Sequence, residues 1–431
     1  KERLKLKKKL VGGHRICQFL ILYLILFFSN SSNSSQIFDY QTEKFIDKIN
    51  NIILSVNSYN KKNNFKIVNK EFPNAYVTED NTIFLTSGLI LNCPDYIALL
   101  AVIAHEIGHI EKYHITKRKD KINKLKTFNS LGNLATLAGS IIIKQPDLLN
   151  AIIVNQTSTN NLFLNFSKEQ EIEADFYAVE TLNKLNLPKE SVKEFLFILE
   201  NKINLDIADE ELKKFSTHPL FKVRTEMLDY KSNEKHINFN HELENDFKLI
   251  KAKFMAYTNF KYDYELKNDA KIYYDSIQYS KSGNLLESLK LINYLISNNN
   301  ENIFYIETKA DILLSYGYNK EAIKFYNKVL IKYPQNHYVR YNIFNNIIFK
   351  NKNKKIQKKI FQENLILLEL FPNNRNLITK FFKLSQFIEK QDWNIFFEIL
   401  LFNQNNPQQR LNELLKKTND YNLKKIIKLY T

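Results

Sequence analysis

A-V-I-A-H-E-I-G-H-I, residues 101–110, decides how the rest of this 431-residue chain reads. His105 and His109 stand four apart, with Glu106 between them. On a helix, positions i and i+4 share one face about a turn apart. Two imidazoles so placed can bind one zinc ion, and the glutamate beside them can act as general base toward water. The run 96–104 before them is almost wholly apolar, which predicts a buried helix that holds its ligands rigidly.

A zinc ion with two histidines needs a third protein ligand and an open position for water. F-S-K-E-Q-E-I-E-A-D-F-Y-A, residues 166–178, supplies candidates, because Glu171 and Asp175 again sit at i and i+4. One carboxylate there can ligate while the other accepts a hydrogen bond from a ligand histidine. Glu169 and Glu173 fall on other faces and are expected in solvent. His114 lies five residues beyond His109, with no glycine between them to bend the chain. A continuous helix carries it off the metal, so a structural role is expected. Thr217-His218-Pro219 reads as a loop, since proline restricts the residue before it to extended conformations.

The bulk composition removes other classes. Apolar residues make up 44% of the chain, too few for a multi-spanning membrane protein. The net charge of +16 is spread along the chain apart from a cluster in the first fifteen residues, and no dense basic stripe with interleaved aromatics occurs. Nucleic acid is therefore not an expected partner. Cys17 and Cys93 are the two cysteines and do not make a disulfide framework.

In chain order, residues 1–28 read as a signal peptide or N-terminal anchor: a basic start, then a thirteen-residue apolar core from Ile16 to Phe28. A cleaved leader exports the mature chain; an uncleaved one tethers it to the membrane. A metallopeptidase domain is expected over 37–230. It begins with an amphipathic helix over 37–60, carrying Phe45, Ile46, Ile49, Ile52, Ile53 and Val56 on one face. A strand at 65–68 and a hairpin of 74–77 with 82–85 follow, forming a small sheet whose edge can accept an extended peptide. Residues 131–143 are apolar but interrupted by Gly132, Asn133, Gly139 and Ser140, which suggests a buried or flap-like helix. Residues 231–264 are polar and charged and read as a connecting segment.

From 265 to 431 the pattern is helical. At an offset of 34, Gly283 falls over Gly317, Glu287 over Glu321, Ser288 over Ala322 and Leu289 over Ile323. The second copy, with Tyr326 and Pro334, resembles a tetratricopeptide repeat. Such repeats stack into a solenoid that binds peptides or partner proteins. A plain helical cap is the simpler alternative.

A chain of ordered motifs carries a further resemblance. Asn74-Ala75, Gly88-Leu89, A-x-x-A-H-E-I-G-H with His114 beyond, S-K-x-x-E-x-E-A-D, and Thr217-His218-Pro219 with Arg224 occur in this order between about 65 and 230. Together they resemble the zinc peptidase family of the CAAX prenyl endopeptidases and HtpX, and most of all its soluble, secreted branch in bacterial envelopes. The chain departs from that pattern at Lys168, at Glu79-Asp80-Asn81 and at Ala98, none of them a metal position. The resemblance implies an α+β zincin-like (gluzincin) domain, mostly helical with a small sheet, followed by an all-α tetratricopeptide-like solenoid. It implies one Zn2+ per chain on His105, His109 and Glu171, with Glu106 as base and Asp175 as partner of a ligand histidine. It gives His218 a place at the site, either donating to the oxyanion of the tetrahedral intermediate or occupying the fourth metal position as a plug.

The implied function is an endopeptidase for quality control of misfolded or misassembled outer-membrane proteins. Its partners are unfolded protein substrates, the outer-membrane assembly machinery through the repeats, and the membrane surface. One rival is a chaperone or adaptor working through the repeats with little peptidase activity. Another is a membrane-embedded prenyl-protein endopeptidase, which needs long apolar spans that this sequence lacks.

Overall fold

The structure is a computed structural model that describes residues 36–58, 63–78, 80–114, 168–205, 228, 238–258, 260, 265–346, 353–402 and 406–431. The leader over 1–28, the buried or flap-like helix expected over 131–143, and Thr217, His218, Pro219 and Arg224 lie outside these residues. The chain divides into two compact units, up to Leu295 and from Ile296.

The first unit opens with β1 (Gln36–Ile37) and α1 (Tyr40–Val56). Asp39 caps α1, its carboxylate accepting from the Thr42 amide at 3.2 Å, and also pairs with the buried Lys253. Phe45, Ile46, Ile49 and Ile53 of α1 are buried at the spacing of one helix face. Then come β2 (Asn64–Val68), β3 (Ala75–Val77) and β4 (Thr82–Thr86). They form one sheet in the order β1-β2-β4-β3. The expected hairpin is β3 against β4, with Tyr76 opposite Phe84 and their rings stacked at 5.0 Å. At its turn Asp80 accepts from Thr78 and Thr82, and those bonds hold its carboxyl below the usual range. β2 pairs parallel to β4, with Ile67 beside Leu85. Among the described residues that pairing leaves β3 as an edge.

The short helix α2 (Ser87–Asn92) follows β4 directly, capped by Thr86. Gly88 is required here by close approach: a Cβ on it would lie 1.9 Å from the Glu71 carbonyl oxygen. The motif helix α3 (Tyr96–Glu111) starts on Asp95, whose carboxylate accepts from the Ile97 and Ala98 amides at 3.0 Å each. Its residues from Tyr96 to Ala101 and from Ile103 to Ile110 are buried, as expected of a helix that is apolar on all sides. Around it pack α1, β3, α4 (Lys168–Lys184), α5 (Glu190–Leu205) and α6 (His241–Tyr257).

α6 corrects the expectation of a connecting segment over 231–264. Leu243, Phe247, Ile250 and Phe254 make an apolar face at helical spacing, and all four are buried in the core with α1 and α3. The polar residues belong to its other faces. Two buried contacts tie α6 to the start of α3: Glu244 accepts from the Tyr96 amide at 3.2 Å, and the Lys251 ammonium donates to the Cys93 carbonyl at 2.9 Å.

Beyond α6 the described residues are helical: α7 (Asn268–Lys281), α8 (Leu285–Asn298), α9 (Ile303–Ser315), α10 (Asn319–Lys332), α11 (His337–Asn346), α12 (Lys354–Asn364), α13 (Ile366–Leu370), α14 (Arg375–Phe387), α15 (Gln391–Leu401), α16 (Pro407–Lys417) and α17 (Tyr421–Ile427). The division between the units falls at Leu295, further along than the expected start of the helical tail at 265. The turns after α7 and α9 share one capping geometry 34 residues apart. Gly283 has φ +88° and Gly317 has φ +78°. The Asn284 amide donates to the Tyr279 carbonyl at 2.8 Å, and the Tyr318 amide donates to the Leu313 carbonyl at 2.9 Å. A Cβ would meet nothing within 4 Å at either glycine, so the left-handed backbone alone calls for glycine there. Among the described residues no helix is long and apolar enough to cross a membrane.

Candidate metal centre

His105 and His109 lie one turn apart on α3, and Glu171 and Asp175 one turn apart on α4. The two helices cross where Gly108 meets Ala174 and Tyr177. A Cβ on Gly108 would stand 3.1 Å from the Ala174 Cα and 3.1 Å from the Tyr177 Cβ. The glycine inside H-E-I-G-H therefore lets the backbones approach closely enough for carboxylates on one helix to reach imidazoles on the other.

All four side chains are buried, with exposures of 2% for His105, 0% for His109, 1% for Glu171 and 6% for Asp175. The His105 and His109 Nε2 atoms are 3.1 Å apart. Glu171 offers one carboxylate oxygen to each, 3.5 Å from His105 Nε2 and 3.6 Å from His109 Nε2. Asp175 Oδ1 lies 2.8 Å from His105 Nδ1. A carboxylate can only accept, so that contact puts the His105 proton on Nδ1 and leaves the Nε2 lone pair facing His109 and Glu171.

The donor set fits a metal. One ligand atom from each of His105, His109 and Glu171 lies within 4.8 Å of the other two, and two imidazole nitrogens with a carboxylate oxygen are a donor set that zinc takes. His105, His109 and Glu171 are the one group of three or more histidine, cysteine or acidic side chains among the described residues that could hold an ion. Glu106, next to His105, is 1% exposed on the same helix. Cys93, between α2 and α3, is buried and unbridged, and burial pushes its thiol well above the usual range.

His114 and Glu173 meet behind His109, a contact the sequence does not predict. α3 ends at Glu111, and Tyr113 takes a left-handed backbone with φ +56°. The chain thus turns under the helix and buries His114 at 0% exposure. His114 Nδ1 lies 2.9 Å from His109 Nδ1, and its Nε2 lies 2.9 Å from Glu173 Oε2. His114 is outside the ligand group, as a structural role requires, but it stands directly behind one member. Glu173, expected in solvent, is half-exposed with one oxygen on His114. A left-handed tyrosine has no local sequence signal, and it is what makes both contacts.

Comparison with known proteins finds one family model and several relatives. The sequence model of peptidase family M48 matches residues 39–232, which include α1, β2, β3, β4, α3 and α4. A Vibrio cholerae protein, provisionally named a beta-barrel assembly-enhancing protease, is 26% identical over 194 residues, covering 44% of this chain and 39% of that protein. The beta-barrel assembly-enhancing protease of Escherichia coli K12 is 22% identical over 286 residues, covering 63% of this chain and 58% of the relative. In Yersinia pestis the protein of that name is 22% identical over 185 residues, covering 43% and 37%. This chain thus matches less than two thirds of the length of each of these relatives. Over residues 39–232, therefore, the chain matches peptidase family M48.

Proposed function

We propose that the chain is a zinc-dependent endopeptidase that binds one Zn2+ through His105, His109 and Glu171. The observation that carries this reading is the convergence of three buried ligand atoms from two helices, with Glu106 beside them. A zinc ion bound there supplies Lewis acidity. Glu106 takes the proton of the attacking water and gives it to the leaving amine. Asp175 accepts from His105 Nδ1–H and so fixes the imidazole with its Nε2 lone pair inward. β3, an edge strand packed beside α3, offers its outer backbone groups to an extended substrate.

The substrates we propose are unfolded or misassembled outer-membrane β-barrel proteins. The names of the relatives support this choice, and the leader-like residues 1–28 support export to the periplasm, either free or tethered. The recurrence of one capping geometry at 34 residues supports a tetratricopeptide-like tail that selects these clients.

The test uses the full chain. Zinc content and cleavage of an unfolded outer-membrane β-barrel protein are measured for wild type and Glu106→Gln. The expected result is one zinc in both proteins and a 10²–10⁴-fold lower cleavage rate in the variant, roughly the contribution of a positioned base. A wild type without zinc, or equal cleavage by the two proteins, overturns the proposal.

A further inference from the structure

We infer that His114 and Glu173 act as a pair that positions His109, as Asp175 positions His105. The inference rests on the zinc-site reading above.

The two imidazoles at the crossing of α3 and α4 are held from behind by different means. His105 Nδ1 meets a carboxylate directly, at 2.8 Å. His109 Nδ1 meets the Nδ1 of another imidazole, that of His114, at 2.9 Å. The protons in this line follow from valence. When His109 Nε2 gives its lone pair to a metal, the neutral ring carries its one proton on Nδ1. That proton is donated, so His114 Nδ1 must be the acceptor. A neutral His114 that accepts at Nδ1 carries its proton on Nε2, where Glu173 Oε2 accepts it at 2.9 Å. The whole line then has one consistent set of donors and acceptors, running from Glu173 through His114 to His109. A carboxylate thereby orients and polarises the second ligand across an intervening ring.

Local structure holds the intervening ring in place. The left-handed Tyr113 brings His114 back under the helix end, and the Gln170 side-chain amide donates to the His114 carbonyl at 3.4 Å. Gln170 and Glu173 lie on α4, the helix that also carries Glu171 and Asp175. One helix therefore provides the third candidate ligand and the carboxylates behind both histidines. The two arms differ in one respect: the Asp175 side chain is 8% exposed and that of Glu173 is 52% exposed.

Zinc affinity is the readout, measured on the full chain by competition with a chromogenic chelator. The visible absorption bands of the cobalt-substituted protein report ligand geometry. Asp175→Asn serves as the direct-arm reference. Loss of a partner behind a metal-bound histidine typically weakens binding about 10–100-fold. His114→Leu is expected at the upper end of that range, with shifted cobalt bands. Glu173→Ala is expected near the lower end, and Glu173→Gln, which still accepts from Nε2–H, below it. His114→Asn puts an acceptor oxygen close to where Nδ1 stood and is expected to recover most of the His114→Leu loss. A purely structural His114 gives no such rescue and no change in the cobalt bands. Glu173 is half-exposed, so its variants fold whether or not His114→Leu does, and they decide the question alone if needed. The inference is overturned if wild type binds zinc and the Glu173 variants match it within twofold with unchanged cobalt bands. A wild type that binds no zinc overturns the peptidase reading, and this inference with it.

Discussion

Buried polar atoms are arranged in opposite ways in the two units. Where α3 and α4 cross they converge: both Nε2 atoms and both Glu171 oxygens turn toward one point, and all four are acceptors once Nδ1 carries the proton in each ring. Three carboxylates of the C-terminal unit are paired instead. Glu307 is 0% exposed and accepts from the Asn336 amide at 2.6 Å. Asp311 accepts from the hydroxyls of Tyr326 and Tyr338 at 2.5 and 2.9 Å. Asp420 accepts from the Trp393 ring N–H at 2.9 Å and from Lys390 at 3.1 Å. Donor–acceptor pairs satisfy burial by themselves, whereas converging acceptors are costly to bury until a cation joins them. Burial alone thus does not mark a functional site, but an excess of one hydrogen-bonding sense around a shared point does.

The largest expected effect breaks the converging set. A zinc site contributes about 10–16 kcal/mol over three or four ligands, or roughly 3–4 kcal/mol each. Glu171→Ala is therefore expected to weaken zinc binding several hundred-fold in chelator competition. In excess chelator the order reverses: the variant melts no lower than wild type, because a buried carboxylate facing two lone pairs has gone. A chelated variant that melts well below chelated wild type means that Glu171 is a paired, structural residue.

A smaller effect shows that convergence is not general to the first unit. Lys251 is 1% exposed, and burial pushes its ammonium down to about 8 from an ordinary 10.5. The unfolded chain therefore binds more protons than the folded one between about pH 8 and 10.5, so stability rises with pH across that window. Below it, the charged form carries a burial cost of up to about 3 kcal/mol. Lys251→Met is expected to be more stable than wild type at pH 7 by up to that amount. The advantage shrinks toward pH 10.5, which denaturant melts at pH 7 and 10 resolve. An advantage that does not change with pH rules out the titration of Lys251 as its source.

The smallest effect sharpens the other side. Asn336→Leu removes one donor from the buried Glu307. Hydrogen bonds to charged groups contribute about 1.5–3 kcal/mol, so the denaturation midpoint falls accordingly while zinc affinity stays at the wild-type value. A change in zinc affinity breaks the separation drawn between the two arrangements.

Legibility followed the range of each interaction. His105, His109, Glu171 and Asp175 could be read because each pair sits within one helix, where spacing fixes the shared face. The strands could be read from alternation, but the parallel pairing of β2 with β4 could not, since it depends on a crossover between distant segments. α6 was legible in principle: Leu243, Phe247, Ile250 and Phe254 repeat at helical spacing, and the surrounding Lys, Glu and Asn obscured them. His114 and Glu173 could not be paired, because their meeting depends on a backbone turn at Tyr113 that tyrosine does not favour. Gly108 could be quoted as part of a motif, yet its reason appears only where α4 passes within one methyl of it.

The candidate ligands come from two helices, and sixty-one residues separate His109 from Glu171 in the chain. An ion held by both closes a loop of that length, as a covalent staple would. Chain statistics assign such a closure about 4 kcal/mol of unfolded-state entropy. Bound metal is then a tether for α4 as well as an agent of chemistry, and whatever strips it from the site loosens the helix that carries Glu171, Glu173 and Asp175 all together.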